Sequence, residues 1–265
     1  VDLGLADAAA VVVGGGRGMG LAAARCLADD GARIALIGRT AAVLDTAAHE
    51  LSARGSPDAL AVVADTGDDA QVQRAFDHIG ERWGGQLNIL INAVGPSVQG
   101  TFDDLTDAQW RTAIDEGAMG MVRCVRAALP LLRAADWARI VNFAAQSTQR
   151  QSARLAAYTA AKAMVTSVSK NLSLHLARDE ILVNVVSPGS IASEALTGWA
   201  ESVGVDGSDP YALMAAIDEH FGHPAHLPRA GLPDEIGPVV AFLASRRNSY
   251  MTGANVNVDG GSDFT

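Results

Sequence analysis

The chain has 265 residues, 49% of them hydrophobic, and a formal net charge of −10. That length and apolar content suffice for a sizeable core in one α/β domain. The acidic balance and the lack of a basic block argue against nucleic acid or an anionic membrane surface as a partner. Neither Cys26 nor Cys124 has metal-ligand or C-x-x-C spacing, so both are expected to be small buried residues in a reducing compartment. The first residues lack the charged start and apolar core of a secretory signal. No run approaches the roughly 18 apolar residues that a membrane span needs. A cytoplasmic protein is expected.

Short Val- and Ile-rich runs alternate with helical patterns. "AAAVVV" (8–13) reads as a strand, followed by a helix over 20–31 that stops at Gly31. "ARIALIG" (32–38) is a strand. The helix over 40–55 is expected to be capped by Thr40 and closed by Gly55. "ALAVVA" (59–64), "LNILINA" (87–93), "RIVNFAA" (139–145), "ILVNVVS" (181–187) and "ANVNV" (254–258) are further strands. Helices are expected over 68–84, as two stretches between Asp107 and Ala135, around Tyr158 and Lys162, and over 233–245. Continuous rather than alternating apolar runs suit strands covered on both faces. Strand–helix alternation predicts a single-domain Rossmann-type α/β fold, a doubly wound parallel sheet of about seven strands with helices on both faces. No repeat or linker divides 1–265. The stretch over about 190–228 reads as long and irregular.

"VVVGGGRGMGLAAA" joins the first strand to the first helix. Gly14, Gly18 and Gly20 fit G-x-x-x-G-x-G rather than G-x-G-x-x-G. Glycines there let backbone approach a pyrophosphate at a helix N-terminus. An acid about 20 residues past such a loop would bind a ribose 2′-hydroxyl. Gly38 occupies that position, and Arg39 follows. A guanidinium can hold a phosphate through two parallel hydrogen bonds. Arg17 offers a second charge and Thr40 a hydroxyl, which points to NADP(H). The plainer alternative is a solvated arginine at a strand end.

These motifs together resemble the short-chain dehydrogenase/reductase family, and its 3-oxoacyl-ACP reductase-like members, along nearly the whole chain. The family's glycine loop is T-G-x-x-x-G-x-G, and Val13 replaces its threonine. "INAVG" resembles N-N-A-G, with Asn92 kept and Ala93 in place of the second asparagine. "YTAAK" matches Y-x-x-x-K, and "VSPGSIAS" resembles P-G-x-x-x-T with Ser193 for the threonine. The resemblance implies cofactor contacts at Gly14, Gly16, Arg17, Gly18, Met19 and Gly20 in the loop. It implies more at Arg39, Thr40, Asp65 and Thr66, then at Asn92, Ala93 and Gly95. Pro188, Gly189, Ile191 and Ser193 would lie on the nicotinamide side, with Tyr158 and Lys162. It also implies a small-molecule carbonyl or alcohol substrate and a homo-oligomer, dimeric or tetrameric, built on the helices after the fourth and fifth strands.

Tyr158 and Lys162, four apart on one helix, share a face. A free tyrosine titrates near pH 10. A nearby ammonium and an oxidised nicotinamide ring favour the phenolate. Tyr158 would then exchange a proton with a carbonyl oxygen as NADPH gives hydride to the carbon. Lys162 would tune it and, by resemblance, hold the nicotinamide ribose. The family's catalytic serine, 13 residues before the tyrosine, falls on Ala145, and its catalytic asparagine falls on Gly117. Loss of such an oxyanion donor typically costs about 3 kcal/mol, roughly 10²–10³ in rate. Gln146, Ser147 and Thr148 follow, and in a continuing strand Ser147 would share the face of Ala145. They are stand-ins or plain loop residues.

Trp199, Tyr211, Met214 and Phe221 suggest an apolar pocket under a lid, or the packing of that lid onto the core. His220, His223 and His226 lack acidic or thiol partners, so no metal site is expected. The leading reading is an NADP(H)-dependent oxidoreductase interconverting a carbonyl and an alcohol. The alternatives are a catalytically impaired NADP(H)-binding protein or inactive partner subunit, and a reductase of conjugated double bonds.

Overall fold

The computed structural model describes residues 2–222 and 224–262. Seven parallel strands form one sheet in the order β3-β2-β1-β4-β5-β6-β7. They are β1 (Ala9–Val13), β2 (Arg33–Gly38), β3 (Ala59–Val63), β4 (Ile89–Asn92), β5 (Ala138–Phe143), β6 (Ile181–Pro188) and β7 (Asn255–Val258). Every residue of β1, β4 and β5 is buried. This is why these strands read as unbroken apolar runs: both faces are covered. Successive residues of β1 feed opposite layers. Ala9, Val11 and Val13 join one core with Phe76, Ile79 and Val125, while Ala10 and Val12 join the other with Leu27, Leu44 and Val240.

The helices are α1 (Gly18–Asp29), α2 (Ala41–Arg54), α3 (Asp69–Arg82), α4 (Asp107–Ile114), α5 (Gly120–Ala134), α6 (Ala156–His175), α7 (Glu194–Ser202), α8 (Pro210–Phe221) and α9 (Pro233–Ala244). Asp68 caps α3 by accepting from the amides of Ala70 and Gln71. Thr106 and Gln109 form a capping box on α4. Thr40 does stand at the N-cap of α2, but its side chain makes no capping bond. The two helical stretches expected between Asp107 and Ala135 are joined by a π turn at Asp115–Met119.

The segment expected to be irregular contains α7 and α8. Asp209 caps α8 by accepting from the Tyr211 amide, with Pro210 opening the helix. Ala200, Leu213, Met214, Ile217 and Ala230 form a small core of their own. Of the four large residues expected to line a pocket, Met214 belongs to this core and Tyr211 is 59% exposed. Among the described residues no helix is long and apolar enough to cross a membrane. No group of three or more metal-ligating side chains occurs among them either. His220 packs edge-on against Trp199, and His223 lies outside the described residues.

A buried polar chain runs beneath the strand ends. Asn92 Nδ2 donates to Asn142 Oδ1 at 2.8 Å, and Asn142 Nδ2 donates to Ser169 Oγ at 2.9 Å. These bonds tie β4, β5 and α6 together. Asn142→Ala strands a buried donor and is expected to cost about 1–3 kcal/mol of stability. Urea unfolding checks this, and a midpoint unchanged from wild type would contradict it.

Candidate active site

The sheet order reverses between β1 and β4, the usual place for a ligand in such folds. A cavity of about 740 Å³ opens there. The glycine loop forms its floor. Gly14 has φ of +77°, and a Cβ on Gly20 would lie 2.3 Å from the Gly14 carbonyl oxygen. Side chains are therefore excluded at both positions, and the loop folds tightly onto α1. Arg39, Thr40, Asp65 and Thr66 line the far wall. Arg39 is exposed and has no ion-pair or hydrogen-bond partner among the described residues. Arg17 is already engaged, donating to Glu194 at the start of α7 at 2.5 Å.

A second cavity, about 510 Å³, continues across the ends of β4, β5 and β6. Gly95 and Ser97 line both. Glu116 accepts from the Ser97 amide at 3.0 Å and from its hydroxyl at 2.8 Å, fastening the loop between them. Tyr158 faces this second cleft, and its hydroxyl has no hydrogen-bond partner among the described residues. Lys162 is only 3% exposed. Its Nζ donates to the carbonyls of Val94 at 2.9 Å and Phe143 at 2.7 Å. Burial pushes the lysine down to about 8 and the phenol up to about 12. In the protein by itself the expected depression of the tyrosine by the ammonium is thus absent. Burial dominates, and the ammonium is turned towards the two carbonyls.

Ala145 lies at the cleft with an extended backbone and is 8% exposed. The chain then turns into a 3-10 helix at Gln146–Thr148 instead of continuing as a strand. Ser147 therefore does not share a strand face with Ala145, yet both line the cleft. The Ser147 hydroxyl lies 3.2 Å from that of Thr159, which donates to it. Thr148 Oγ1 donates back to the Ala145 carbonyl. Among the described residues the Ser147 hydroxyl proton has no acceptor, and Gln146 has no side-chain partner at all. Gln146 lines the cleft, it is 6% exposed, and its Oε1 is buried without a donor. Gly117 sits in the π turn, and a Cβ there would come within 2.8 Å of Pro96 Cδ and 2.9 Å of Ala161 Cβ.

With this geometry the comparisons with known proteins agree. A family model described as enoyl-(acyl carrier protein) reductase matches residues 13–263. The chain belongs to the short-chain dehydrogenase/reductase family. It is 31% identical to meso-2,3-butanediol dehydrogenase of Serratia marcescens over 252 residues, 95% of this chain and 93% of that one. It is also 31% identical to the rhamnolipids biosynthesis 3-oxoacyl-[acyl-carrier-protein] reductase of Pseudomonas aeruginosa, over 97% and 96% of the two chains. L-sorbose reductase from Gluconobacter frateurii, solved with NADPH and L-sorbose, superposes with a TM-score of 0.91 at 28% identity, covering both chains fully.

The residues that the family resemblance singled out divide by placement. Gly14, Gly16, Arg17, Arg39, Thr40, Asp65, Thr66 and Gly95 line the first cavity. Met19, Tyr158, Pro188, Gly189, Ile191 and Ser193 line the second. Gly18 lies on a shallower depression beside Arg17. Gly20, Asn92, Ala93 and Lys162 line none of the three. Asn92 is 2% exposed; its Nδ2 donates to Asn142, and its Oδ1 is buried without a donor among the described residues. Sequence reasoning missed Ser97 and Glu116. The only available signal was a serine beside Pro96 in the loop after a strand, which says nothing about a partner 19 residues on.

Restoring the family asparagine, Gly117→Asn, drives a side chain into the Pro96 ring and α6. Overpacking predicts a loss of about 1–3 kcal/mol, read as a lower thermal midpoint; an unchanged midpoint would argue that the helices can part. A second expectation concerns pH. Lys162 binds its proton less tightly folded, at about 8, than at its ordinary 10.5. The unfolded chain therefore holds more protons in that window, and stability rises as pH climbs from about 8 towards 10.5. Lys162→Met should flatten that rise in denaturant titrations. An identical pH slope in both proteins would show that the lysine is not desolvated.

Proposed function

We propose that the protein is an NADP(H)-dependent oxidoreductase that interconverts a carbonyl and an alcohol. One observation carries the reading: the Tyr158 hydroxyl opens, unpartnered, into a cleft that joins the glycine-loop cavity through Gly95 and Ser97. The residues present fit the cofactor. Gly14 and Gly20 let the loop fold tightly onto α1, whose N-terminus would receive a pyrophosphate, and Arg39 is unpaired among the described residues beside Thr40 where a 2′-phosphate would lie. When bound, the nicotinamide supplies or accepts the hydride. Tyr158 gives its proton to the developing alkoxide, or takes it back in the reverse direction. A phenol held above its ordinary pKa stays protonated at neutral pH, which suits the acid role in reduction. Lys162, anchored on two carbonyls behind the tyrosine, holds the ribose side. For Arg17 to join Arg39 on a phosphate it must leave Glu194.

We read the chain as one domain, with the α7–α8 segment over about 190–228 as a lid on the cleft. The relatives' oxidoreductase names and the NADPH complex of the sorbose reductase support the cofactor and the reaction class. The family's habit of assembly through helices such as α5 and α6 supports a homo-oligomer, and the reading places it in the cytoplasm. A second reading, an NADP(H) binder with little turnover, is favoured by the methyl of Ala145 and by Gly117 where the family has its serine and asparagine.

NADPH consumption over a panel of ketones, aldehydes and 3-oxoacyl thioesters separates them. Tyr158→Phe should cut turnover by roughly 10²–10⁴ while NADPH affinity stays as in wild type. Absence of turnover on the whole panel, with NADPH still bound, would favour the second reading. Arg39→Ala should weaken NADPH binding by roughly 10–100-fold, as loss of a charge-assisted contact implies, and leave NADH binding unchanged in titration calorimetry. Equal losses for both cofactors would remove the assignment of the 2′-phosphate to Arg39.

A further inference from the structure

The glycine loop is joined to the segment over the cleft by an ion pair. Arg17, at the N-cap of α1, donates through Nη1 to Glu194 Oε2 at 2.5 Å. Glu194 is the first residue of α7. The two side chains are 55% and 67% exposed, so water reaches both. Among the described residues this is the one hydrogen bond or ion pair that a side chain of α7 makes outside α7. The apolar side of the helix packs elsewhere: Ala200 lies with Leu213, Met214, Ile217 and Ala230, and Trp199 meets Phe221 and His220.

The same arginine faces the first cavity. Three described cations line that cavity. Arg111 is paired within α4 with Asp107, and Arg39 has no partner among the described residues. Arg17 is the one tied to a distant element. Two other acids line the shallower depression beside it, Glu50 and Asp234, and both pair with Arg25. They do not compete for Arg17; Glu194 does. A phosphate dianion presents three acceptor oxygens and more charge than a carboxylate, and here it would have Arg39 and Thr40 beside it. A carboxylate left on the same guanidinium would lie against the dianion and be repelled. Glu194 loses little on release. It is exposed, and an acid in the first turn of a helix is favoured by the helix dipole. A cofactor without the 2′-phosphate brings nothing that opens the pair.

We propose that Glu194 is a resident competitor for the 2′-phosphate of NADP(H): the phosphate takes Arg17 from Glu194 and so unlatches α7, whereas NAD(H) leaves the latch shut. This rests on the NADP(H) reading above. Glu194 lowers the preference for the phosphorylated cofactor without lining the cofactor cavity itself. The same exchange reaches the substrate side, because α7 brings Ala195, Leu196 and Trp199 to the second cleft. Glu194 touches no reacting atom. It acts through Arg17.

Titration calorimetry of NADPH and NADH with the full chain tests this. Glu194→Gln keeps the shape and removes the charge at an exposed position. Exposed ion pairs are weak, so the variant should bind NADPH about two- to fivefold more tightly than wild type, with NADH unchanged. Arg17→Met should weaken NADPH binding. Adding Glu194→Gln to it should change nothing further, because the competition needs the guanidinium. NADH binding reports that each variant is folded; if Arg17→Met is not, Arg17→Gln takes its place. Hydrogen exchange of the α7 amides should be faster in wild type with NADPH than with NADH, and the difference should vanish in Glu194→Gln. NADPH affinity unchanged or weakened in Glu194→Gln would overturn the proposal. So would an equal gain for NADH, the same gain in the Arg17→Met background, or equal exchange of α7 with both cofactors in wild type. Those results leave the NADP(H) reading standing. Wild-type protein that binds NADH as tightly as NADPH would overturn both.

Discussion

The buried ammonium of Lys162 is the contact on which the site depends. A charge 3% exposed needs acceptors, and it finds them in the carbonyls of Val94 and Phe143. Those carbonyls follow β4 and close β5. One side chain of α6 therefore pins the helix across the ends of two adjacent strands. Tyr158, one turn earlier on the same face, is thereby carried to the cleft. The chain Asn92–Asn142–Ser169 braces the same three elements from below. The position of the acid group is thus set by polar contacts inside the sheet, not by the loops around it.

The two halves of the site have been treated differently. On the cofactor side, Gly14 and Gly20 let the loop fold tightly onto α1, and Arg39 has no partner among the described residues beside Thr40. On the substrate side, the family's serine and asparagine positions hold Ala145 and Gly117. The second change is coupled to packing: Pro96 and Ala161 occupy the space that a side chain at 117 would need. At the first change, the polar groups that follow Ala145 are Gln146, whose carboxamide has no partner among the described residues, and Ser147, whose oxygen accepts from Thr159.

Much of this was legible in the sequence. Strand–helix alternation, the continuous apolar runs and the glycines between β1 and α1 set the sheet and its cofactor edge. Tyr158 and Lys162 followed from their spacing and their place after the fifth strand. What the sequence concealed was side-chain engagement. Arg17 reads as a free cation, but its partner Glu194 lies 177 residues away in α7. Asn92 sits in a run that resembles the family's cofactor motif, and nothing local announces that its Nδ2 pairs with Asn142 across β4 and β5. Ser147 reads as sharing the face of Ala145 only if the strand continues, and a 3-10 turn intervenes. The helices α7 and α8 were masked by Gly198 within α7 and by Gly204, Gly207 and Gly222 around them, although Asp209-Pro210 is a helix-start signal. Local pattern gives elements and their order; which polar groups remain free depends on contacts between distant segments.

The most direct measurement is a crystal structure of the protein with NADP⁺. The expected result has the nicotinamide at the mouth of the second cleft beside the Tyr158 hydroxyl, the 2′-phosphate on Arg39, and Lys162 Nζ still on the carbonyls of Val94 and Phe143. A nicotinamide lying away from Tyr158, or a lysine that has left both carbonyls, would contradict it.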